Sequence, residues 1–228
     1  MIKNLAQFID HTLLKANATQ EQIRALCEEA KQYGFASVCV NPTWVSFAFS
    51  LLQGTGVKVC AVVGFPLGAN AGQIKAAEAA LAVADGAQEI DMVLNIGALK
   101  SEQTVVVANE IALVRAAIPG VCLKVIIETS LLTDDEKALA CIVAVEHGAD
   151  FVKTSTGFAT DGNPNPGATV NDVRLMRQFS SQAQVKASGG VRTAEDVAKM
   201  LDAGATRIGT SNGVAIVTSV ATQSVGAY

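Results

Sequence analysis

One phrase recurs four times along this chain of 228 residues, and it constrains the fold more than any other feature. Each copy has a glycine at the predicted end of a helix, followed directly by an apolar run; the glycines are Gly34, Gly86, Gly148 and Gly204. Glycine accepts the left-handed conformation that ends many helices. The intervals of 52, 62 and 56 residues each have room for about two strand–helix units.

Short apolar runs between helix-like stretches predict eight strands, at residues 9–14, 37–40, 57–63, 89–94, 122–128, 151–155, 184–188 and 207–211. The intervening stretches have apolar residues at three- and four-residue spacing, and they begin near plausible caps at Thr19, Asn70 and Thr193. Strands that are apolar on both faces and alternate with helices are typical of a parallel sheet covered by helices.

The pattern therefore predicts a single-domain α/β fold over residues 1–228, a closed TIM (β/α)8 barrel. We expect a short N-terminal helix and a mobile C-terminal tail from about residue 220. The competing architecture is an open doubly wound sheet. It is less favoured because the first strand is not followed by Gly-x-Gly-x-x-Gly.

Composition excludes several classes of function. The net charge is −4 without a Lys/Arg cluster, which argues against a nucleic-acid partner, and no apolar run is long enough to span a membrane. The five cysteines are scattered singly and there are only two histidines, so we expect neither a metal nor another cofactor. The N-terminus lacks a signal-peptide pattern, and the sequence predicts a reduced, cytoplasmic protein.

Four predicted strands carry a charge within an apolar run, namely Asp91, Lys124, Lys153 and Lys186. Each one alone could be a solvated or salt-bridged residue at a strand end. Together they are harder to explain, because several buried cations and one carboxylate are costly to desolvate unless they are paired or functional. In a barrel, the active site lies at the C-terminal ends of the strands, where these charges would meet.

Lys153 and Lys186 fall on consecutive predicted strands, which in a sheet lie ~4.8 Å apart. If both ammonium groups point inward, each raises the free energy of charging the other, and one of the two would be a neutral amine near neutral pH. A neutral lysine attacks carbonyls and can form a Schiff base. Asp91 occupies the same register as Lys153, and its carboxylate could serve as the general acid–base.

Two glycine-rich stretches, 188–196 and 209–216, follow the seventh and eighth predicted strands. Loops at these positions of barrels frequently bind phosphate through backbone N–H groups at helix N-termini. Asp10, near the end of the first strand, could bind a substrate hydroxyl or equally cap a helix or turn. The residues alone thus indicate a phosphorylated carbonyl substrate and a lysine Schiff base.

Long motifs identify a family. The sequence closely resembles the deoxyribose-phosphate aldolases from about Ile9 to Ile216, in the stretches DHTLL, VCVNPTWV, VVGFPLGA, EIDMVLNIGAL, LKVIIET, VKTSTGF, VKASGGVRTAED and ATRIGTSNGVAI. The resemblance implies a metal-independent class I aldolase with the TIM-barrel fold. Such enzymes reversibly cleave 2-deoxy-D-ribose 5-phosphate to acetaldehyde and D-glyceraldehyde 3-phosphate.

The resemblance also implies roles for individual residues. Lys153 would form the Schiff base, Lys186 would be the cation that activates it, and Asp91 would relay protons through a water. Lys124 would belong to the same polar network. The implied phosphate contacts are Gly157, Gly189, Gly190, Gly209, Ser211 and Asn212. A homodimer is a further expectation, with sugar phosphate and aldehydes as the small-molecule partners.

The chain departs from the family pattern at two positions near the implied phosphate site. Asn212 stands where a second serine is usual, and Phe158 stands where some members have a lysine, which leaves Arg192 as a possible phosphate cation. Tyr228 ends the chain, as in relatives where a C-terminal tyrosine assists proton transfer; the alternative is a terminus without a role. Two other functions stay open, a lysine-dependent aldolase of another sugar phosphate and a non-catalytic phosphate-binding barrel.

Overall fold

The structure is a computed structural model that describes residues 4–159 and 167–225. Its centre is a closed parallel barrel of eight strands that pair in chain order. The strands are β1 (Ile9–Leu13), β2 (Ser37–Val40), β3 (Lys58–Val63), β4 (Glu89–Val93), β5 (Cys122–Ile126), β6 (Phe151–Lys153), β7 (Gln184–Ser188) and β8 (Arg207–Thr210). The predicted TIM (β/α)8 barrel is confirmed, and the open sheet is excluded because β8 pairs with β1.

Helices cover the outside of the barrel. They are α1 (Gln20–Tyr33), α2 (Val45–Leu52), α3 (Gly72–Ala84), α4 (Ile96–Lys100), α5 (Thr104–Ala117), α6 (Asp134–Glu146), α7 (Val170–Phe179), α8 (Ala194–Asp202) and α9 (Gly213–Val225). A short 3-10 helix, Leu5–Phe8, precedes β1. Helix α9 extends to Val225, and Tyr228 lies outside the described residues. No helix in the described part of the chain has the length and apolarity needed to cross a bilayer.

Side-chain caps explain where several helices begin. Thr19 starts α1 with a capping box, in which its backbone N–H donates to Gln22 Oε1 at 2.9 Å and its hydroxyl accepts from Gln22 N. Thr193 starts α8 in the same way. The predicted cap at Asn70 is wrong, because α3 begins at Gly72 after Ala71 and has no side-chain cap. Asn70 is one residue too early to reach the first N–H groups of that helix.

The recurring glycine has the predicted role. Gly34 ends α1 in the left-handed conformation, with φ 67°, and the chain then enters β2. At Gly86, before β4, a Cβ would lie 2.4 Å from the Phe49 ring, so the close packing of α2 also requires glycine there. The residues five positions after the four glycines include Asp91 and Lys153, as the sequence indicated.

The core has two unlike parts. Aliphatic side chains fill the space between the barrel and the helices, including Ile23, Ile90 and Ile111. Inside the barrel, by contrast, fully buried charged side chains come from several strands; they are Asp10, Glu89, Asp91, Lys124 and Lys186. The candidate site is therefore expected inside the barrel, where these charged side chains lie.

Candidate active site

Asp91 on β4 is the centre of the buried cluster. Its Oδ2 accepts from Lys153 Nζ at 2.8 Å and from Lys186 Nζ at 2.7 Å. Its Oδ1 accepts from Lys124 Nζ at 2.8 Å. Strand register explains the convergence, because Asp91 pairs with Lys124 across β4 and β5, and Lys153 pairs with Lys186 across β6 and β7. The three lysines singled out in the sequence therefore meet at the fourth strand charge, the carboxylate of Asp91.

A second layer of charges lies closer to the N-terminal ends of the strands. Glu89 is two residues before Asp91, on the same strand face, and its Oε2 lies 2.7 Å from Lys124 Nζ. Arg207 begins β8, and its Nη1 lies 2.9 Å from Glu89 Oε2 and 2.7 Å from Asp10 Oδ1. The other oxygen of Asp10 accepts from Lys186. Charges of alternating sign thus connect the two layers.

Asp10 has a different place from either predicted one. Its carboxylate is fully buried and binds Lys186, Arg207 and the hydroxyl of Ser37, which donates at 2.7 Å. It is therefore enclosed by these partners instead of open to a substrate hydroxyl, and its carboxylate caps neither a helix nor a turn. The position follows from barrel closure, since β1 pairs with β8.

Electrostatic attraction keeps the buried groups ionised. Burial by itself would raise the pKa of Asp91, but Lys124, Lys153 and Lys186 outweigh it and hold that pKa well below 3.8. Burial likewise would lower the pKa of Lys186, but Asp10 and Asp91 raise it above its ordinary value. Asp91 has the largest effect among the charges that raise the pKa of Lys124 against burial. Lys124 and Lys186 therefore stay charged at neutral pH.

A cavity of about 320 Å³ opens at the C-terminal ends of β6, β7, β8 and β1. Lys153 lines it, whereas Lys124 and Lys186 are fully buried beneath it. Of these three lysines, Lys153 is the one whose side chain a bound molecule can reach. Its exposed fraction is 3%, so the amine meets the pocket but is otherwise enclosed.

The residues predicted to hold phosphate line the same cavity; they are Gly157, Gly189, Gly190, Gly209, Ser211 and Asn212. Gly189 and Gly190 have φ of 82° and 76°, a conformation that side chains rarely adopt. Gly209 also makes room for the cluster, because a Cβ there would lie 3.2 Å from Lys186 Cε. Arg192 lines the cavity, as does Lys15, a cation that the sequence analysis missed.

Hydrogen bonds between loops hold the β6 and β7 ends of the pocket in place. Ser188 N donates to Thr154 Oγ1 at 3.0 Å, and Ser188 Oγ donates to the carbonyl of Ser155 at 2.6 Å. Glu128, buried at the end of β5, accepts from Thr156 N at 3.1 Å and from the Thr156 hydroxyl. These contacts hold in place the loops that carry Gly157 and Gly189, both of which line the cavity.

Cys39, Cys60 and Asp91 form a group whose potential metal-ligand atoms lie within 4.8 Å of one another in the described chain. The surroundings do not suit a cation. Lys124 Nζ lies 3.3 Å from Cys60 Sγ, and three ammonium groups already bind Asp91. The positive charge of these lysines would oppose a metal ion at this group.

Sequence reasoning missed Glu89 and Arg207. A signal for Glu89 was present, because residues two apart on a strand share a face and Asp91 had already been placed inside the barrel. Arg207 stands at the first position of its strand and could have been taken for a solvated end. Only closure of the barrel brings it against Asp10, which is 197 residues away in the chain.

A parallel (β/α)8 barrel whose pocket ends on a lysine among buried counter-charges defines a TIM-barrel enzyme with a lysine-centred site. The family model described as DeoC/LacD family aldolase matches residues 4–219. The chain belongs to this family of aldolases, which are lyases. The resemblance found in the motifs is confirmed, and membership of an enzyme family sets aside the non-catalytic alternative.

Individual relatives agree over nearly the whole chain. The deoxyribose-phosphate aldolase of Lysinibacillus sphaericus is 59% identical over 218 residues, which cover 95% of this chain and 96% of that protein. The Brevibacillus brevis enzyme of the same name is 55% identical over 224 residues, with 98% and 99% covered. A solved structure described as a tetrameric deoxyribose phosphate aldolase from Aeropyrum pernix is 34% identical, with TM-score 0.85 and coverage of 96% and 91%.

Proposed function

We propose that this aldolase reversibly cleaves 2-deoxy-D-ribose 5-phosphate to acetaldehyde and D-glyceraldehyde 3-phosphate through a Schiff base at Lys153. One observation carries the proposal: Lys153 is the interior lysine that lines the pocket, and its amine lies 2.8 Å from the buried carboxylate of Asp91. The names of the two bacterial relatives support the choice of substrate.

The nucleophile must be reachable and must be able to lose its proton. Lys124 and Lys186 meet neither condition, because both are fully buried and neighbouring carboxylates raise the pKa of each despite burial. Lys153 opens to the cavity and shares Asp91 Oδ2 with Lys186. A fixed cation next to an amine is a recognised means of activating it, so Lys186 has that role.

The proposed chemistry proceeds in balanced steps. The amine of Lys153 adds to C1 of the open-chain sugar, and loss of water from the carbinolamine leaves a protonated imine. Removal of the proton from the C3 hydroxyl lets the C2–C3 bond break. Its electron pair passes into the imine, glyceraldehyde 3-phosphate leaves, and a two-carbon enamine remains. Protonation at C2 and hydrolysis then release acetaldehyde and restore the amine.

Asp91 is the proposed proton relay, acting through a water between its carboxylate and the reacting carbons. It contacts Lys153 directly and stays ionised, because Lys124, Lys153 and Lys186 overcome the effect of burial on its pKa. Lys124 supports this role by holding the other carboxylate oxygen. The proton taken from the substrate hydroxyl and the one delivered to C2 would pass along this route.

Phosphate is proposed to bind at the ends of β7 and β8, where Gly189, Gly190 and Ser211 line the cavity. Backbone N–H groups and the nearby starts of α8 and α9 suit an anion. The two cations at this cavity besides Lys153 are Lys15 and Arg192 among the described residues. Binding energy gathered there, remote from the C2–C3 bond, would hold the reacting atoms in position.

Reductive trapping tests the proposal directly. We expect acetaldehyde and borohydride to leave a single ethyl group, on Lys153, as located by peptide mass spectrometry. Excess deoxyribose 5-phosphate should block it. An unmodified Lys153, or ethyl groups spread evenly over surface lysines, would contradict the proposed mechanism. The second candidate, a lysine-dependent aldolase of a larger ketose phosphate, predicts no acetaldehyde adduct and an adduct with the ketose instead.

Replacing Phe158 with lysine should strengthen binding of the phosphorylated substrate. Phe158 lines the cavity and packs edge-to-face on Phe65 at 5.3 Å, and a lysine there would add a cation near the proposed phosphate site. Because the position is half-exposed, we expect KM for deoxyribose 5-phosphate to fall by only about 3- to 10-fold.

The control for this change is Phe158→Met, which keeps an apolar side chain of similar length. KM for unphosphorylated deoxyribose should be the same for the lysine and methionine variants. If the lysine variant lowered KM for both sugars equally, the effect would not be on phosphate.

Cytoplasmic location and the homodimer stay predictions. The molar mass in solution would separate a dimer from the tetramer described for the Aeropyrum pernix enzyme.

A further inference from the structure

We infer that Glu89 and Arg207 are positioning residues that set, through the charge balance inside the barrel, the pH range in which the lysine nucleophile reacts. Neither side chain lines the cavity among the described residues, so neither contacts the substrate. Both act through other groups, Glu89 through Lys124 and Arg207 through Asp10. The inference rests on the proposed Schiff base at Lys153.

The contacts form two continuous routes to the nucleophile. In one, Arg207 Nη1 lies 2.7 Å from Asp10 Oδ1, and Asp10 binds Lys186, which lies 2.7 Å from Asp91 Oδ2. In the other, Glu89 Oε2 lies 2.7 Å from Lys124 Nζ, which lies 2.8 Å from Asp91 Oδ1. Both routes end at the carboxylate that holds Lys153.

The surroundings of these two residues are otherwise sparse in charge. Phe151 presents its ring to the Arg207 guanidinium at 5.4 Å, and Lys58, half-exposed at the start of β3, lies 3.2 Å from Glu89 Oε1. The thiols of Cys39 and Cys60 face the cluster from β2 and β3. Burial and the neighbouring groups hold the pKa of Cys60 well above 9.0, whereas the hydrogen bond with Cys60 lowers the pKa of Cys39. The charge balance below counts both thiols as protonated.

The buried cluster holds one more cation than anions. Its cations are Lys124, Lys153, Lys186 and Arg207, and its carboxylates are Asp10, Glu89 and Asp91; four minus three leaves a charge of +1 when all are ionised. Lys153, which lines the cavity, is the residue of this cluster that can exchange a proton with a bound molecule. An excess of positive charge favours release of that proton, which the reaction requires.

This balance predicts opposite effects for the two residues. Arg207→Met removes a cation and leaves a charge of zero, so Lys153 releases its proton less easily. The acidic limb of the profile of kcat/KM against pH should therefore move to higher pH. Glu89→Gln removes an anion and leaves +2, so the limb moves to lower pH. For charges that reach Lys153 through two (Glu89) or three (Arg207) intervening groups we expect shifts of about one pH unit or less. The double variant restores +1, and its limb should return to the wild-type position.

The experiment measures kcat/KM for deoxyribose 5-phosphate against pH in the wild type, both single variants and the double variant. The matched controls are Lys31→Met and Glu28→Gln, which make the same changes of charge in a surface pair on α1 and should leave the limb in place. Arg207→Lys keeps the charge but loses the forked guanidinium, so its limb should stay near that of the wild type while kcat falls.

Opposite shifts that cancel in the double variant would support the inference. Shifts in the same direction, or none, would overturn it and leave Glu89 and Arg207 with a structural role alone. If Arg207→Met does not fold, Glu89→Gln decides alone: a limb at lower pH supports the inference and an unmoved limb overturns it, while Arg207→Lys, which keeps the charge, should leave the limb in place. Borohydride trapping separates the two proposals: wild type without an adduct at Lys153 overturns the proposed function, whereas intact trapping with unmoved limbs overturns only this inference.

Discussion

Replacing Lys153 with arginine is expected to lower kcat/KM for cleavage of deoxyribose 5-phosphate by roughly 10⁴-fold or more, while the chain stays folded. Arginine keeps a cation beside Asp91, so the charge balance of the cluster is preserved. Its guanidinium remains protonated at all accessible pH values and cannot form an imine. The change therefore removes the proposed nucleophile but keeps a positive charge at the same position.

The measurement is steady-state cleavage, followed by borohydride trapping with acetaldehyde on the same preparations. Lys199→Arg, at an exposed position on α8, is the matched control and should retain wild-type activity and trapping. Thermal unfolding of Lys153→Arg should stay close to that of the wild type. Retention of more than about a tenth of the wild-type kcat/KM would mean that another group reacts with the substrate.

The second large effect concerns stability. Asp91→Asn should lower the free energy of unfolding by about 3 to 5 kcal/mol at neutral pH, because it leaves three buried ammonium groups without their shared carboxylate. Those groups belong to Lys124, Lys153 and Lys186, all within 2.8 Å of Asp91. The variant should also lose aldolase activity, since the proposed proton relay is removed. Chemical denaturation of both proteins gives the difference.

The stability effect of Asp91 should depend on pH with a defined sign. Burial alone would raise its pKa, but the three lysines hold it well below 3.8 in the folded protein. A depressed folded pKa gives a contribution that is complete above the unfolded pKa and declines as the pH falls toward the folded one. The difference between wild type and Asp91→Asn should therefore be constant from neutral pH down to about pH 5 and shrink below about pH 4.

Asp134→Asn is the control for that series. Asp134 pairs with Lys137 on the exposed face of α6, where an ion pair contributes no more than about 1 kcal/mol. A loss of stability for Asp91→Asn as small as that of the control would show that the interior lysines find other partners. A difference that grew on acidification would contradict the depressed pKa.

The strands and their order could be predicted because local patterns carry that information. A glycine such as Gly34 ends a helix by its own conformational freedom, and a short apolar run after it is typical of a strand buried on both faces. The neighbouring positions of Lys153 and Lys186 follow from strand order, because the two lysines lie on consecutive strands. Helix starts were predicted correctly where a side chain caps the first turn, as at Thr19, and incorrectly at Asn70, where none does.

The sequence by itself determined the barrel, the family and the four interior charges on β4 to β7, since each depends on residues that are near in the chain or on strand order. Only the tertiary structure decided which charges meet. Closure of β8 on β1 brings Asp10 to Lys186 and Arg207, at separations of 176 and 197 residues. The structure also decided which lysine a substrate can reach, because exposure depends on everything packed around a side chain. Periodicity and propensity describe one element at a time, so they contain no information about which distant charges meet or which lysine is exposed.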